Sequence, residues 1–133
     1  MTVTMKRLDH VNLRTADLDA MVAWYGRILD MHPGPRPGFA FPGAWLYADG
    51  RPIVHLVGVE TAPGADPGAL RLEHFAISAN GLKDLLARLE ADGARHRLRR
   101  IEEFGVLQVN VWDPDGNHIH IDFDAAEAEG LEV

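Results

Sequence analysis

The sequence has no cysteine in 133 residues, which excludes disulfides and thiolate metal ligands but does not by itself fix a compartment. No apolar run approaches membrane-spanning length, and the opening MTVTMKRLDH lacks the apolar core of a secretory leader. The expectation is a cytoplasmic protein with no membrane partner. Positive charge is also in short supply. Lys and Arg number 13 against 20 Asp and Glu, a net charge of −7 that argues against a nucleic-acid surface, whose footprint is basic. The one basic stretch, Arg95 to Arg100, reads as a solvated loop or edge strand. At 47% hydrophobic and 25% charged the composition is that of a globular protein, and the length suits a single domain over 1–133.

What the chain does have is a repeat. Arg7-Leu8-Asp9-His10-Val11-Asn12-Leu13 falls without a gap on Arg71-Leu72-Glu73-His74-Phe75-Ala76-Ile77, an offset of 64 positions. A second echo sets Asp49–Leu56 against the one-residue-shorter Asp115–Ile121, with His55 falling on His120 at an offset of 65. Each half opens with a histidine on an apolar run and closes with another, so the halves repeat one structural plan.

Residues 6–14 alternate as a strand, and Thr15 or Asp17 caps a helix running to about Asp30 with Leu18, Met21, Val22, Tyr25, Ile28 and Leu29 at helical spacing. Gly26 interrupts its middle. The Pro- and Gly-dense stretch 32–43 cannot stay helical and leads into a short strand. Trp45–Tyr47 and Ile53–Val59 follow as strands around a turn at Ala48-Asp49-Gly50. The first half thus spans about 6–59, the linker 60–70 and the second half about 71–123. In the second half, 71–78 is a strand, Asn80 caps a helix over Gly81–Asp92, and Gly93 ends it. Arg95–Arg100, Val106–Trp112 and His118–Phe123 supply three more strands, with Asp113-Pro114-Asp115-Gly116 as a turn. The acidic tail 125–133 is expected to fray or pack loosely. The fold class is α+β: tandem βαβββ repeats forming a curled mixed sheet around a cleft, with helices on the outer face.

Alternation decides which side chains share a face. Ile119, Ile121 and Phe123 point to the helices, as do Leu107, Val109 and Val111. His118, His120 and Asp122, with Gln108 and Asn110, point the other way. His10 with Asn12, and His74 with Ala76 and Ser78, lie on that polar side of the opening strands, as does His55. A lone histidine on a strand is most often a hydrogen-bonding or surface residue. Four at repeat-equivalent places are a constellation: His10 and His74 open the halves, His55 and His120 close them. A pseudo-twofold axis would bring such positions together. Converging imidazoles repel when protonated and leave lone pairs unpaired when neutral, and a bound metal resolves both. The expected cofactor is a divalent transition metal, Fe, Ni, Zn or Cu. The competing reading is a polar cleft with paired histidines. His32 and His96 read as loop residues, and His118 as a group supporting the ligands.

The stretches LDHVNLRTADLDAMVAWYGRILDM, LEHFAIS and DPDGNHIHIDF together resemble the vicinal oxygen chelate superfamily, the group of glyoxalase I, extradiol dioxygenases and bleomycin-binding proteins. The likeness runs from about Lys6 to Phe123. It implies the metal ligands His10, His55, His74 and His120. The closing strand of the family normally carries Glu where His120 stands, and Glu or Gln is common at the position of His55. Neutral imidazoles in place of carboxylates leave the dication charge uncompensated, giving a stronger Lewis acid toward anionic oxygen.

The resemblance implies a metal-dependent enzyme on a small, oxygen-rich substrate that chelates the ion, by glyoxalase-type isomerisation or lyase chemistry or by ring-cleaving dioxygenation. Asn12, Gln108 and Asn110 would orient substrate or ligands, and Phe39, Phe41 and Trp45 would form an apolar wall. Asp122, two along from His120 on the same face, is the candidate general base. The alternative is a non-catalytic binder of a drug or metabolite of the bleomycin-resistance type, and a closed zinc site of structural role is a further rival. The family also implies a homodimer.

Overall fold

The structure, a computed structural model, describes residues 2–64 and 66–133. Each repeat builds a four-stranded mixed sheet and one long helix, the α+β, twice-written βαβββ plan that the sequence predicts. Two compact units result. One takes the chain through Gly26 and again over Asp30–Pro63, and the other takes Arg27–Leu29 and Gly64–Val133.

In the first unit, β1 (Val11–Thr15), β2 (His32–Pro33), β3 (Gly43–Ala48) and β4 (Arg51–Gly58) pair in the order β1-β4-β3-β2. The β1–β4 pair is parallel and the others are antiparallel. A parallel pair needs a long crossover, and helix α1 (Leu18–Leu29) opens it. Asp17, not Thr15, caps α1: its carboxylate accepts from the Ala20 N–H at 3.1 Å, and Asp30 in a left-handed conformation ends the helix. Met21, Trp24, Tyr25 and Ile28 are buried at helical spacing, each burial worth about 1.5–3 kcal/mol. Gly26 is explained by a close approach, since a Cβ there would lie 3.1 Å from the His32 ring. His32, expected in a loop, sits in the two-residue β2 opposite Tyr47.

In the second unit, β5 (His74–Ser78), β6 (His96–Ile101), β7 (Val106–Trp112) and β8 (His118–Asp124) pair in the order β5-β8-β7-β6, again with the first pair parallel. The registers match between repeats. Asn12 stands opposite His55 and Ala76 opposite His120, the partners that offsets of 64 and 65 require. Leu107, Val109 and Val111 on β7, and Ile119, Ile121 and Phe123 on β8, are buried as their alternation predicts. With Leu82, Leu85 and Leu89 of helix α2 (Leu82–Asp92) they form this unit's core. Val109→Asp would strand an unpaired charge there.

Three expectations need correction. The opening strands begin at Val11 and His74, not at residues 6 and 71; Leu8 and Leu72 precede the strand ladders and are exposed. Asn80 does not cap α2. Gly81 holds the N-cap position without a side-chain bond, and the Glu127 carboxylate accepts from the Gly81 and Leu82 N–H groups at 3.0 and 3.1 Å. The tail is consequently not loose at that point: residues 125–128 form a 3-10 turn with Ala128 fully buried.

Candidate functional site

In a sheet, register partners point to the same face, so the ladders show which side chains form each row. In the first unit the row is Asn12, His55 and Trp45. The His55 ring lies between two others, stacked on His10 at 3.8 Å and on Trp45 at 4.0 Å. His55 donates its Nε2–H to the Pro52 carbonyl at 3.0 Å, which leaves the lone pair on Nδ1. Asp9 takes the Nδ1–H of His10 at 2.6 Å, which leaves the lone pair on Nε2. Burial, then the neighbouring His10, lowers the His55 pKa and favours the neutral form that coordinates metals. A cavity of about 350 Å³ opens here, and Asn12, Phe39, Phe41 and Trp45 all line it along with His10 and His55.

The second unit carries the same design with more histidine. One row is Ala76, His120 and Asn110; the next is His74, His118 and Trp112. His74 stacks on His120 at 3.9 Å, and the His118 ring meets both at 5.4 and 4.8 Å. Each of these three histidines presents a ring nitrogen within 4.8 Å of the other two, the spacing that one ion can span. Glu73 bonds the Nδ1 of His74 and faces the Nδ1 of His118 at 3.3 Å. On the far side, His118 donates Nε2–H to the Asn110 Oδ1 at 2.8 Å, while the Asn110 amide donates to the Arg97 carbonyl at 3.2 Å. Burial, followed by His74 and His118, lowers the His120 pKa. Gln108 and Asp122 form the adjoining row with Ser78, and one carboxylate oxygen of Asp122 is buried without a hydrogen-bond partner.

The four histidines singled out from the sequence therefore occur as two stacked pairs, His10 with His55 and His74 with His120, one pair in each unit. His118 was read from the sequence only as a supporting group, yet it stands within the group able to span one ion. The carboxylates Asp9 and Glu73 were missed as partners. Their signal was visible, because both repeats place an acid directly before the opening histidine.

A family model described as the Glyoxalase/Bleomycin resistance protein/Dioxygenase superfamily matches residues 7–121. The chain belongs to this superfamily. A relative in Rhodococcus globerulus named biphenyl-2,3-diol 1,2-dioxygenase 2 is 31% identical over 131 residues, covering 93% of this chain and 65% of the relative. The chain thus spans about two thirds of that relative's length, as 65%. Among solved structures, a glyoxylase/bleomycin resistance protein/dioxygenase domain from Frankia sp. EAN1pec superposes with a TM-score of 0.75 at 21% identity, covering 91% of this chain and 99% of that one. A lactoylglutathione lyase from Agrobacterium tumefaciens superposes with a TM-score of 0.63 at 22% identity, covering 92% and 95%. At such identities the superpositions establish the superfamily fold alone. No helix among the described residues is long and apolar enough to cross a membrane.

A divalent transition metal, the superfamily's usual cofactor, suits the donors present. Three imidazoles converge in the second unit, burial disfavours the proton on His120, and carboxylates hold Nδ1 of His10 and of His74, which leaves Nε2 of each as the donor nitrogen.

Proposed function

We propose that the chain is a metal-dependent enzyme acting on a small oxygenated substrate that binds the ion through two adjacent oxygens. The observation that carries this reading is the convergence of His74, His118 and His120 around one point. In the second unit the metal-binding element is the carboxylate-held His74 stacked on His120 and joined by His118; His10 and His55 repeat the carboxylate-held, stacked pair in the first unit without a third imidazole. The bound ion would supply Lewis acidity toward the substrate oxygens. The chain's own residues do the rest. In the second unit Asn110 fixes the tautomer of His118 and Gln108 offers its amide to a substrate oxygen; in the first, Asn12 does the same beside the wall of Phe39, Phe41 and Trp45. Asp122, with its unpartnered oxygen, is the group free to take a hydroxyl proton.

Of the two reaction types, ring-cleaving dioxygenation of an aromatic diol has more support. The dioxygenase relative is the more similar in sequence; the imidazoles at His55 and His120 replace the glutamate of both the lyase site and the dioxygenase iron triad, and so do not choose between the two. Glyoxalase-type isomerisation or lyase chemistry is the second. A non-catalytic binding role has its own observation in favour, the aromatic-lined cavity of the first unit.

Elemental mass spectrometry on the untagged protein is the deciding experiment, beside oxygen uptake with catechols. About one Fe, Ni, Zn or Cu per chain is expected, falling at least tenfold in His74→Ala and His120→Ala while circular dichroism is unchanged. No stoichiometric metal, even after reconstitution, would overturn the enzyme reading in favour of a binding protein.

A further inference from the structure

The cavity of the first unit contains a residue that none of the metal chemistry uses. Arg36 lies on the loop between β2 and β3, and its guanidinium stands 5.0 Å from the Phe39 ring centre and 5.1 Å from that of Phe41. The two rings stack at 4.9 Å and remain 44% and 45% exposed, which leaves part of their surface open to a ligand. Arg36 is also held in place. Its Nη2–H donates to the Phe41 carbonyl at 3.0 Å, and the guanidinium packs over Gly43, where a Cβ would come within 2.8 Å of Nη2. Among the described residues that is its only hydrogen bond, and it forms no ion pair with a carboxylate, including Asp9 of the same cavity. A guanidinium carries five N–H donors and a permanent charge. Here most of those donors are uncommitted, and the charge is met only by the two rings, with no carboxylate among the described residues to neutralise it.

We infer that this cavity takes a planar aromatic carboxylate, its ring against Phe39, Phe41 and Trp45 and its anionic end on Arg36. A volume of about 350 Å³ lies at the low end for ligand sites, which suits one or two rings. Aromatic faces bind rings through offset and edge contacts, and a guanidinium on a carboxylate makes paired, charge-assisted hydrogen bonds. Asp9 sets the direction. Its carboxylate repels an anion but accepts from a hydroxyl, so neutral oxygens of the ligand belong at the His10 end and the carboxylate at Arg36. Only the fate of those oxygens rests on the enzyme reading; the recognition of ring and carboxylate does not.

The test compares 3,4-dihydroxybenzoate with its neutral amide by isothermal titration calorimetry, on the untagged protein as purified. The acid is expected to bind at least about tenfold more tightly. Arg36→Gln should bring the two to near parity, and Arg36→Lys should keep part of the preference, since it retains charge but loses the planar fork. Arg36 lies outside every helix and strand, and circular dichroism of both variants checks that they fold. Equal binding of acid and amide, no binding of either, or a preference that survives Arg36→Gln would overturn the inference. Its failure is separable from that of the enzyme reading. A protein without metal that keeps an Arg36-dependent preference sinks the enzyme alone, whereas a metal-loaded protein that consumes oxygen with catechol but ignores the carboxylate sinks this inference alone.

Discussion

Two histidines with depressed pKa values make acid sensitivity a property of individual residues here. His55 and His120 are held below the usual 6.5, first by burial and then by neighbouring histidines. An unfolded chain titrates these groups near 6.5, so below that pH it binds protons that the folded chain resists, and stability falls as the pH drops toward the folded values. Well above 6.5 both states are neutral and neither residue contributes a slope. Asp9 and Glu73, lowered chiefly by their bonds to His10 and His74, add a separate loss in stronger acid, below their usual 3.8 and 4.5. Urea unfolding of the chelator-treated protein should therefore show a midpoint that declines between pH 7 and pH 5, and His120→Gln should flatten the decline. A slope unchanged by that substitution would contradict the assignment to His120. At this scale the sequence was partly legible. It marked out His10, His55, His74 and His120 through the repeat, but it did not place His118 among the ring nitrogens. The first repeat has Ile53 where the second has His118, so no echo drew attention to it.

Among the elements, α2 shows how far a helix end can depend on distant chain. Its first turn has no side-chain cap of its own, and Glu127, more than 40 residues along the chain, accepts from two of its N–H groups. A carboxylate at a helix N-terminus also meets the positive end of the helix dipole. Glu127→Ala should destabilise the protein by about 1 kcal/mol, lowering the midpoint of thermal unfolding by several degrees. Glu127→Gln, which keeps an acceptor but not the charge, should lose less. An Asn80→Ala variant should unfold like the parent, because Asn80 makes no cap. The strands and helices themselves were readable from periodicity, since burial of one face imposes a period of two or 3.6. Their ends were not. A strand ends where its partner ends, and that partner is remote in sequence, which is why residues 6–10 and 71–73 read as strand yet lie outside β1 and β5.

For the whole molecule, the metal proposal predicts linkage between binding and stability. A ligand that binds only the folded chain stabilises it by about 2.7 kcal/mol at one hundred times its dissociation constant. Adding the native metal to chelator-treated protein should raise the melting temperature by several degrees, and chelation should lower it while the far-ultraviolet circular dichroism persists. Each sheet has an apolar face that buries its own core residues, so the fold does not require the ion. Collapse of secondary structure on chelation would instead indicate a closed structural zinc site.

Sequence alone determined the doubled βαβββ plan, the buried faces of its strands and the places of the histidines, because all three follow from periodicity and internal repetition, which are properties of residue order. Tertiary structure decided which groups meet: His55 between His10 and Trp45, Asn110 holding the tautomer of His118, Glu73 between two imidazoles, Arg36 over the Phe39 and Phe41 rings. Ring stacking and hydrogen bonds act over a few ångströms, and distances that short between remote residues are set by strand register and loop path, not by spacing along the chain.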